Sequence, residues 1–182
     1  MTPPCTVLLR LARLQDAPAL AVLSRELIEA GLVWRYTPPR MAALIRHPET
    51  VALVACAAPP IQALTQAPTR PPAAPPSAPP SDTTVHGFAV MHFGDAQAHL
   101  SLLCVQPQQR QQGIGRRLTD WLAASARVAG ITSIALELRA DNASALGFYR
   151  RLGFVETTLL PGYYDDRIAA RRMTLNLAPA TP

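Results

Sequence analysis

Apolar positions along this chain switch repeatedly between a two-residue and a three-to-four-residue period, and each switch marks a change from strand to helix or back. Residues 6–14 alternate weakly and predict a first strand. Leu20, Leu23, Leu27 and Ile28 then recur at helical spacing, with Asp16 suited to the N-cap, Pro18 tolerated in the first turn and Gly31 closing the helix. A second short helix is expected after Thr37, holding Met41, Leu44 and Ile45. Apolar runs at 51–57, 86–93 and 98–105 read as three further strands, the last of them stopped by Pro107. From Gly113 and Gly115 onward the period is helical again, with Ile114, Leu118, Trp121, Leu122, Ser125 and Val128 assigned to one side and Gly130 as the stop. A strand at 131–139, a helix around Tyr149 and two strands at 154–160 and 170–177 complete the order. The fold class implied is α/β, with helices flanking a mixed central sheet of about seven strands.

Residues 58–82 break this pattern, because nine prolines fall among them. Such a stretch forms neither helix nor ladder and is expected to be extended and mobile. It reads either as a tolerated surface insertion or as a proline-rich docking segment for a partner. The remaining length suits one core, so 1–182 is expected to be a single domain carrying that insertion.

Candidate chemistry concentrates where the strand at 98–105 meets the helix after Gly115. A strand, a polar loop with Gly113 and Gly115, and a helix N-terminus together suit an anion, since the first helical turn leaves N–H groups unpaired. The backbone N–H groups of Gln111, Gln112, Gly113, Ile114, Gly115 and Arg116 are the expected donors to a phosphate. A P-loop is excluded because the chain contains no lysine. A dinucleotide fingerprint is excluded because Leu118 stands at its third glycine and Glu137 lies within a strand rather than at its end. Arg110-x-x-Gly113-x-Gly115, preceded by Val105-x-Pro107, resembles the acetyl-CoA pyrophosphate loop of the GNAT superfamily of N-acetyltransferases.

A second block strengthens the resemblance. Glu137-x-Arg139-x-x-Asn142, then Tyr149 and Leu152-Gly153-Phe154, look like the other GNAT signature. With Tyr163-Tyr164, this block is most similar to that of the bacterial ribosomal-protein alanine N-acetyltransferases. The resemblance implies a GNAT fold, acetyl-CoA as co-substrate and no metal. It implies further that Arg110 braces the loop and that the edge formed by Leu103, Cys104 and Val105 pairs with the pantetheine arm, which Asn142 also binds. It makes Glu137 a general base acting through water and Tyr149 the proton donor to the departing thiolate. Trp34, Arg35, Tyr163 and Tyr164 would lie against the acceptor.

Each of these residues also has a plain structural use. Glu137 interrupts an apolar strand on the face opposite Leu136 and Leu138, where a salt bridge to arginine would serve as well. Tyr149 could simply pack beside Leu146 and Leu152, and Tyr163 and Tyr164 could fill a hairpin. Asn142 suits a helix N-cap, which is compatible with ligand binding. Cys104 has no identifiable activating base and is not expected to carry an acyl group.

Composition narrows the partners. The net charge of +5 is carried entirely by arginine, which suits a polyanion such as CoA. The arginines are scattered and form no nucleic-acid module, so no nucleic acid is expected. No apolar run reaches membrane-spanning length, and Arg10 and Arg13 interrupt the N-terminal candidate for a signal segment. With three widely spaced cysteines and no disulfide or zinc pattern, a cytoplasmic setting is expected. The four histidines lack paired ligand spacing, and no metal site is expected from them. The resemblance implies a primary amine as acceptor, on either a protein N-terminus or a small molecule. The alternative is a non-catalytic acetyl-CoA sensor or scaffold that displays the proline segment. Oligomeric state has no signature in the sequence.

Overall fold

The long apolar runs in the middle of the chain become the centre of one sheet. The computed structural model describes residues 7–57 and 84–177; the proline-rich segment expected at 58–82 lies outside the described residues. Strands β1 (Val7–Leu11), β2 (Thr50–Ala57), β3 (Val85–Phe93), β4 (Gln97–Val105), β5 (Ser133–Arg139), β6 (Val155–Tyr164) and β7 (Ile168–Asn176) form a sheet of order β1-β2-β3-β4-β5-β7-β6. The helices are α1 (Ala17–Leu27), α2 (Pro38–Arg46), α3 (Ile114–Val128) and α4 (Ala143–Arg151). Among the described residues, no helix is long and apolar enough to cross a membrane.

Both faces of the central strands are covered, which is why β2 and β3 read as unbroken apolar runs rather than as alternation. Leu53, Ala55, Ala89 and Met91 pack with Leu118 and Leu122 of α3. Their neighbours Ala52, Val54, Phe88 and Val90 pack with Leu20 and Ala21 of α1 and Met41 of α2. A period of two along each strand thus feeds two separate cores.

Neighbouring strands are antiparallel except β4 and β5, and that exception creates the site. The parallel ladder between them has only three partners, Gln97↔Ser133, Ala98↔Ile134 and His99↔Ala135. Past His99 the register of β4 against β3 shifts, from Leu100↔Met91 to Leu102↔Val90. Strand β5 meanwhile follows β7 to its end at Arg139↔Ala170. The C-terminal halves of β4 and β5 therefore part, leaving a cleft in the middle of the sheet.

Three sequence expectations change in detail. Asp16 stands at the N-cap of α1 but makes no side-chain cap; its carboxylate instead takes Arg13 N–H at 2.6 Å and a bidentate Arg10 at 2.7 and 2.9 Å. A guanidinium fork outcompetes a single backbone N–H for the two carboxylate oxygens. The buried face of α3 is Ile114, Leu118, Thr119, Leu122, Ala123 and Ala126, whereas Trp121 and Val128 are exposed. Finally, Pro161-Gly162 does not end β6. The strand bulges there, with Gly162 at φ 63°, and pairing resumes at Tyr164↔Ile168.

The Arg10–Asp16 pair ties β1 to the entry of α1. Burial opposes the charge on Asp16, yet the Arg10 fork and Arg13 N–H outweigh it and hold its carboxyl below the ordinary value. Asp16→Ala is expected to lower the unfolding free energy by about 1–3 kcal/mol, measured by urea denaturation at neutral pH.

Candidate active site

The glycine loop lies at the mouth of the β4–β5 cleft. After β4, a 3-10 turn at Pro107–Gln109 and a left-handed Gln111 at φ 62° lead to Gly113, the N-cap of α3, at φ 76°. Two left-handed residues within three positions, just before the N-terminus of a 15-residue helix, make a backbone suited to an anion. Arg110 Nε donates to Val105 O at 3.2 Å, so its side chain ties the loop back to the end of β4. Gly115 acts differently: a Cβ there would sit 3.2 Å from Phe148 Cζ, a tight contact from which the ring would have to give by a few tenths of an ångström.

A cleft of about 550 Å³ runs from this loop into the split sheet. Leu103, Cys104, Val105, Arg110, Gln111, Gly113, Ile114, Gly115, Arg116, Asn142 and Tyr149 line it, together with Ser144 and Phe148 of α4. Ile114 contributes its backbone, since its side chain is fully buried in the α3 core. Gln112 is not among the lining residues; its amide donates to Gln108 O at 3.4 Å. Cys104 is buried, and desolvation pushes its thiol up to about 12, which makes it inert core. Asn142 caps α4, its side-chain oxygen accepting Ala145 N–H at 3.0 Å, which leaves its NH₂ as the group to face a ligand.

A second cleft of about 420 Å³ opens on the other side, lined by Glu29, Arg35, Tyr36, His99, Glu137, Tyr163, Tyr164 and Asp165 among others. The two clefts share Leu27, Leu103, Asn142, Ala145 and Tyr149. Tyr149 is buried, its ring edge-on to Phe148 and Phe154, and burial raises its phenol above the ordinary value. The aromatic packing and the cleft-lining position therefore coexist in one side chain.

Glu137 is not a free carboxylate. Its side chain is only 5% exposed, and Oε2 lies 2.6 Å from His99 Nε2 while Oε1 lies 2.7 Å from Arg172 Nε. His99 Nδ1 in turn lies 3.2 Å from Ser101 Oγ. The bond from His99, aided by Arg172 and against the cost of burial, holds the Glu137 carboxyl below its ordinary value. Neither partner stands out in the sequence. His99 and Arg172 reach Glu137 only because β4, β5 and β7 are neighbours, with Glu137↔Arg172 paired across the strands.

Two loops roof the second cleft. Glu29 accepts Arg35 N–H at 2.7 Å and Ser24 Oγ–H at 3.1 Å, fixing the turn between α1 and α2. Asp165, in the β6–β7 turn with φ 50°, accepts Val33 N–H at 2.9 Å and pairs with Arg35 at 3.0 Å. Arg35, Tyr163 and Tyr164 are thereby brought together. Trp34 is not: its ring packs on the α1–α2 core beneath the Arg25 guanidinium, outside both clefts.

Because the folded-state pKa of Glu137 is depressed, its stabilising contribution is present above the ordinary carboxylate range and is lost as pH falls through the folded value. Glu137→Gln should cost about 1–2 kcal/mol at pH 7 in urea melts, and the gap to the wild type should close below about pH 4.

A family model described as an acetyltransferase (GNAT) domain matches residues 80–177. The [ribosomal protein bS18]-alanine N-acetyltransferase of Escherichia coli is 36% identical over 94 residues, covering 50% of this chain and 64% of that protein. The match thus spans a little under two thirds of that relative's length. N-alpha-acetyltransferase 30 of Schizosaccharomyces pombe is 34% identical over 79 residues, covering 43% of this chain and 53% of that one. Among solved structures, Ard1 of Thermoplasma volcanium superposes with a TM-score of 0.72 at 23% identity, covering 94% of this chain and 98% of that one. The family model spans more than half of the 182 residues and includes both the glycine loop and the Glu137–Tyr149 block, so the chain belongs to the GNAT acetyltransferase family.

Proposed function

We propose that this protein transfers the acetyl group of acetyl-CoA to a primary amine, the α-amine of a peptide, by direct attack with both substrates bound. The observation that carries this reading is the meeting of two clefts at Leu103, Asn142 and Tyr149, one bearing an anion-suited loop and the other a Glu–His pair. The first cleft fits the donor: its loop suits the pyrophosphate, with Arg110 and Arg116 adding charge, and the unpaired edge at Leu103, Cys104 and Val105 suits an amide-bearing arm. The names of the E. coli and S. pombe relatives, together with the roof formed by Arg35, Tyr163, Tyr164 and Asp165, support a peptide N-terminus as acceptor.

An α-amine also asks least of the base. At pH 7.4 a lysine amine costs about 4 kcal/mol to deprotonate, whereas an α-amine costs well under 1. Both oxygens of Glu137 are engaged and its basicity is lowered, so Glu137 is best used behind another group. With Nε2–H directed at Glu137, His99 presents Nδ1 to the second cleft, bonded to Ser101 Oγ. His99 takes the ammonium proton there, directly or through water, and Glu137 orients the ring and steadies the imidazolium. Tyr149 gives its proton to the leaving sulfur; a nascent thiolate held against this buried phenol is raised in basicity by the same desolvation.

Release of free thiol from acetyl-CoA should be fast with peptides bearing a free N-terminus. It should be slow with N-blocked lysine peptides and with small polyamines. His99→Ala should lower kcat/KM by about 10²–10⁴ on the favoured peptide, with no further loss on adding Glu137→Gln. Tyr149→Phe should retain CoA binding and lower kcat at least about tenfold. Tight CoA binding with no turnover on any amine would reject acetyl transfer, and full activity in His99→Ala would reject the assigned base.

A further inference from the structure

We propose that His47, Glu49 and His92 form a surface site for a divalent transition ion of the zinc class. This inference stands apart from acetyl transfer and uses none of the side chains assigned to it.

His47 and Glu49 lie two positions apart in the connection from α2 to β2, and β3 brings the distant His92 beside them. His47 ends α2 in extended conformation, with φ −70° and ψ 127°. Glu49 immediately precedes β2, and His92 lies near the end of β3 as the cross-strand partner of Thr50. Backbone bonds fix the corner: Thr50 N–H donates to His47 O at 3.1 Å, and Phe93 N–H donates to Glu49 O at 2.7 Å. One ligand atom from each of the three side chains lies within 4.8 Å of the other two, a spread that rotamer adjustment closes around a cation.

The polar geometry favours a cation there. His92 Nδ1 is 3.4 Å from Thr50 Oγ1, and His92 Nε2 is 3.7 Å from Glu49 Oε2. When Nδ1–H donates to the threonine hydroxyl, the lone pair on Nε2 faces a carboxylate oxygen. Two lone-pair carriers directed at each other are reconciled by a positive charge between them. The Thr50 contact is the outer-shell bond that commonly sets the tautomer of a metal-binding histidine. The His47 and His92 rings are tilted by 58° with centroids 5.6 Å apart, so both can turn nitrogens to a shared point without stacking. His47 Nδ1 accepts Glu49 N–H at 3.3 Å, and ligation requires His47 to release this long, exposed bond to water.

Two imidazoles and one carboxylate suit zinc, cobalt or nickel rather than magnesium or calcium, which prefer oxygen ligands. Glu49 and His92 side chains are 65% and 46% exposed, leaving the remaining coordination positions to water. The bound ion is therefore exchangeable. Histidine spacing along the chain carries no sign of this site because His92 comes to His47 and Glu49 only through the pairing of β2 with β3.

The test uses the full chain, reduced and free of any affinity tag. Zinc titrated calorimetrically at pH 7.5 should bind one to one. Cobalt should show ligand-field absorption without a thiolate charge-transfer band, which separates this site from the cysteines. His92→Ala and Glu49→Gln should each weaken zinc binding at least about tenfold, with unchanged circular dichroism. His99→Ala should leave zinc affinity unchanged. The site is refuted by unaltered affinity in His92→Ala, by loss of binding in His99→Ala, or by no saturable binding with zinc in large excess.

Discussion

The structure turns on how briefly β4 and β5 stay together. Three residue pairs join them, and β4 then shifts register while β5 stays with β7. A sheet that ran on in register would bury this edge and leave no opening. The split places the glycine loop on one cleft and the Glu137–His99 pair on a second that shares Leu103, Asn142 and Tyr149 with it. Among the described residues it also leaves the β5-facing edge of β4 without a strand partner over Leu103, Cys104 and Val105, where an extended ligand can add its own hydrogen bonds.

Charge around this opening is arranged by pairing rather than by composition. The chain is basic, but Arg35 and Arg139, which line the second cleft, and Arg172 beside Glu137 each face a carboxylate. Glu137 is the most buried of these acids, and its two partners keep it ionised where an isolated carboxylate would be protonated or displaced. The same pairing makes it a weak base and turns attention to the imidazole in front of it. Ion pairs thus set which group on the cleft wall is ready to take a proton.

Much of this was legible in the chain. The order of strands and helices, the positive-φ glycine at the start of α3, and Asn142 as a helix cap follow from local pattern, because each depends on neighbours within a few residues. What could not be read depends on pairing across the sheet. His99 and Arg172 carry no local mark; they matter because β4 and β7 flank β5. Trp34, expected against the acceptor by position, rests its partly buried ring on the α1–α2 core, a packing that depends on the third dimension and not on local pattern. Pro161 and Gly162 looked like a strand end because a bulge and a stop use the same residues.

The central claim is that the split between β4 and β5 receives the donor. Amide chemical shifts of the isotope-labelled protein during titration with CoA address it directly. The account predicts the largest perturbations at Gln111, Gly113, Gly115, Leu103 and Val105, with His92 and the α2 corner unmoved. Saturable binding that leaves the glycine loop and the β4 edge unperturbed would contradict it.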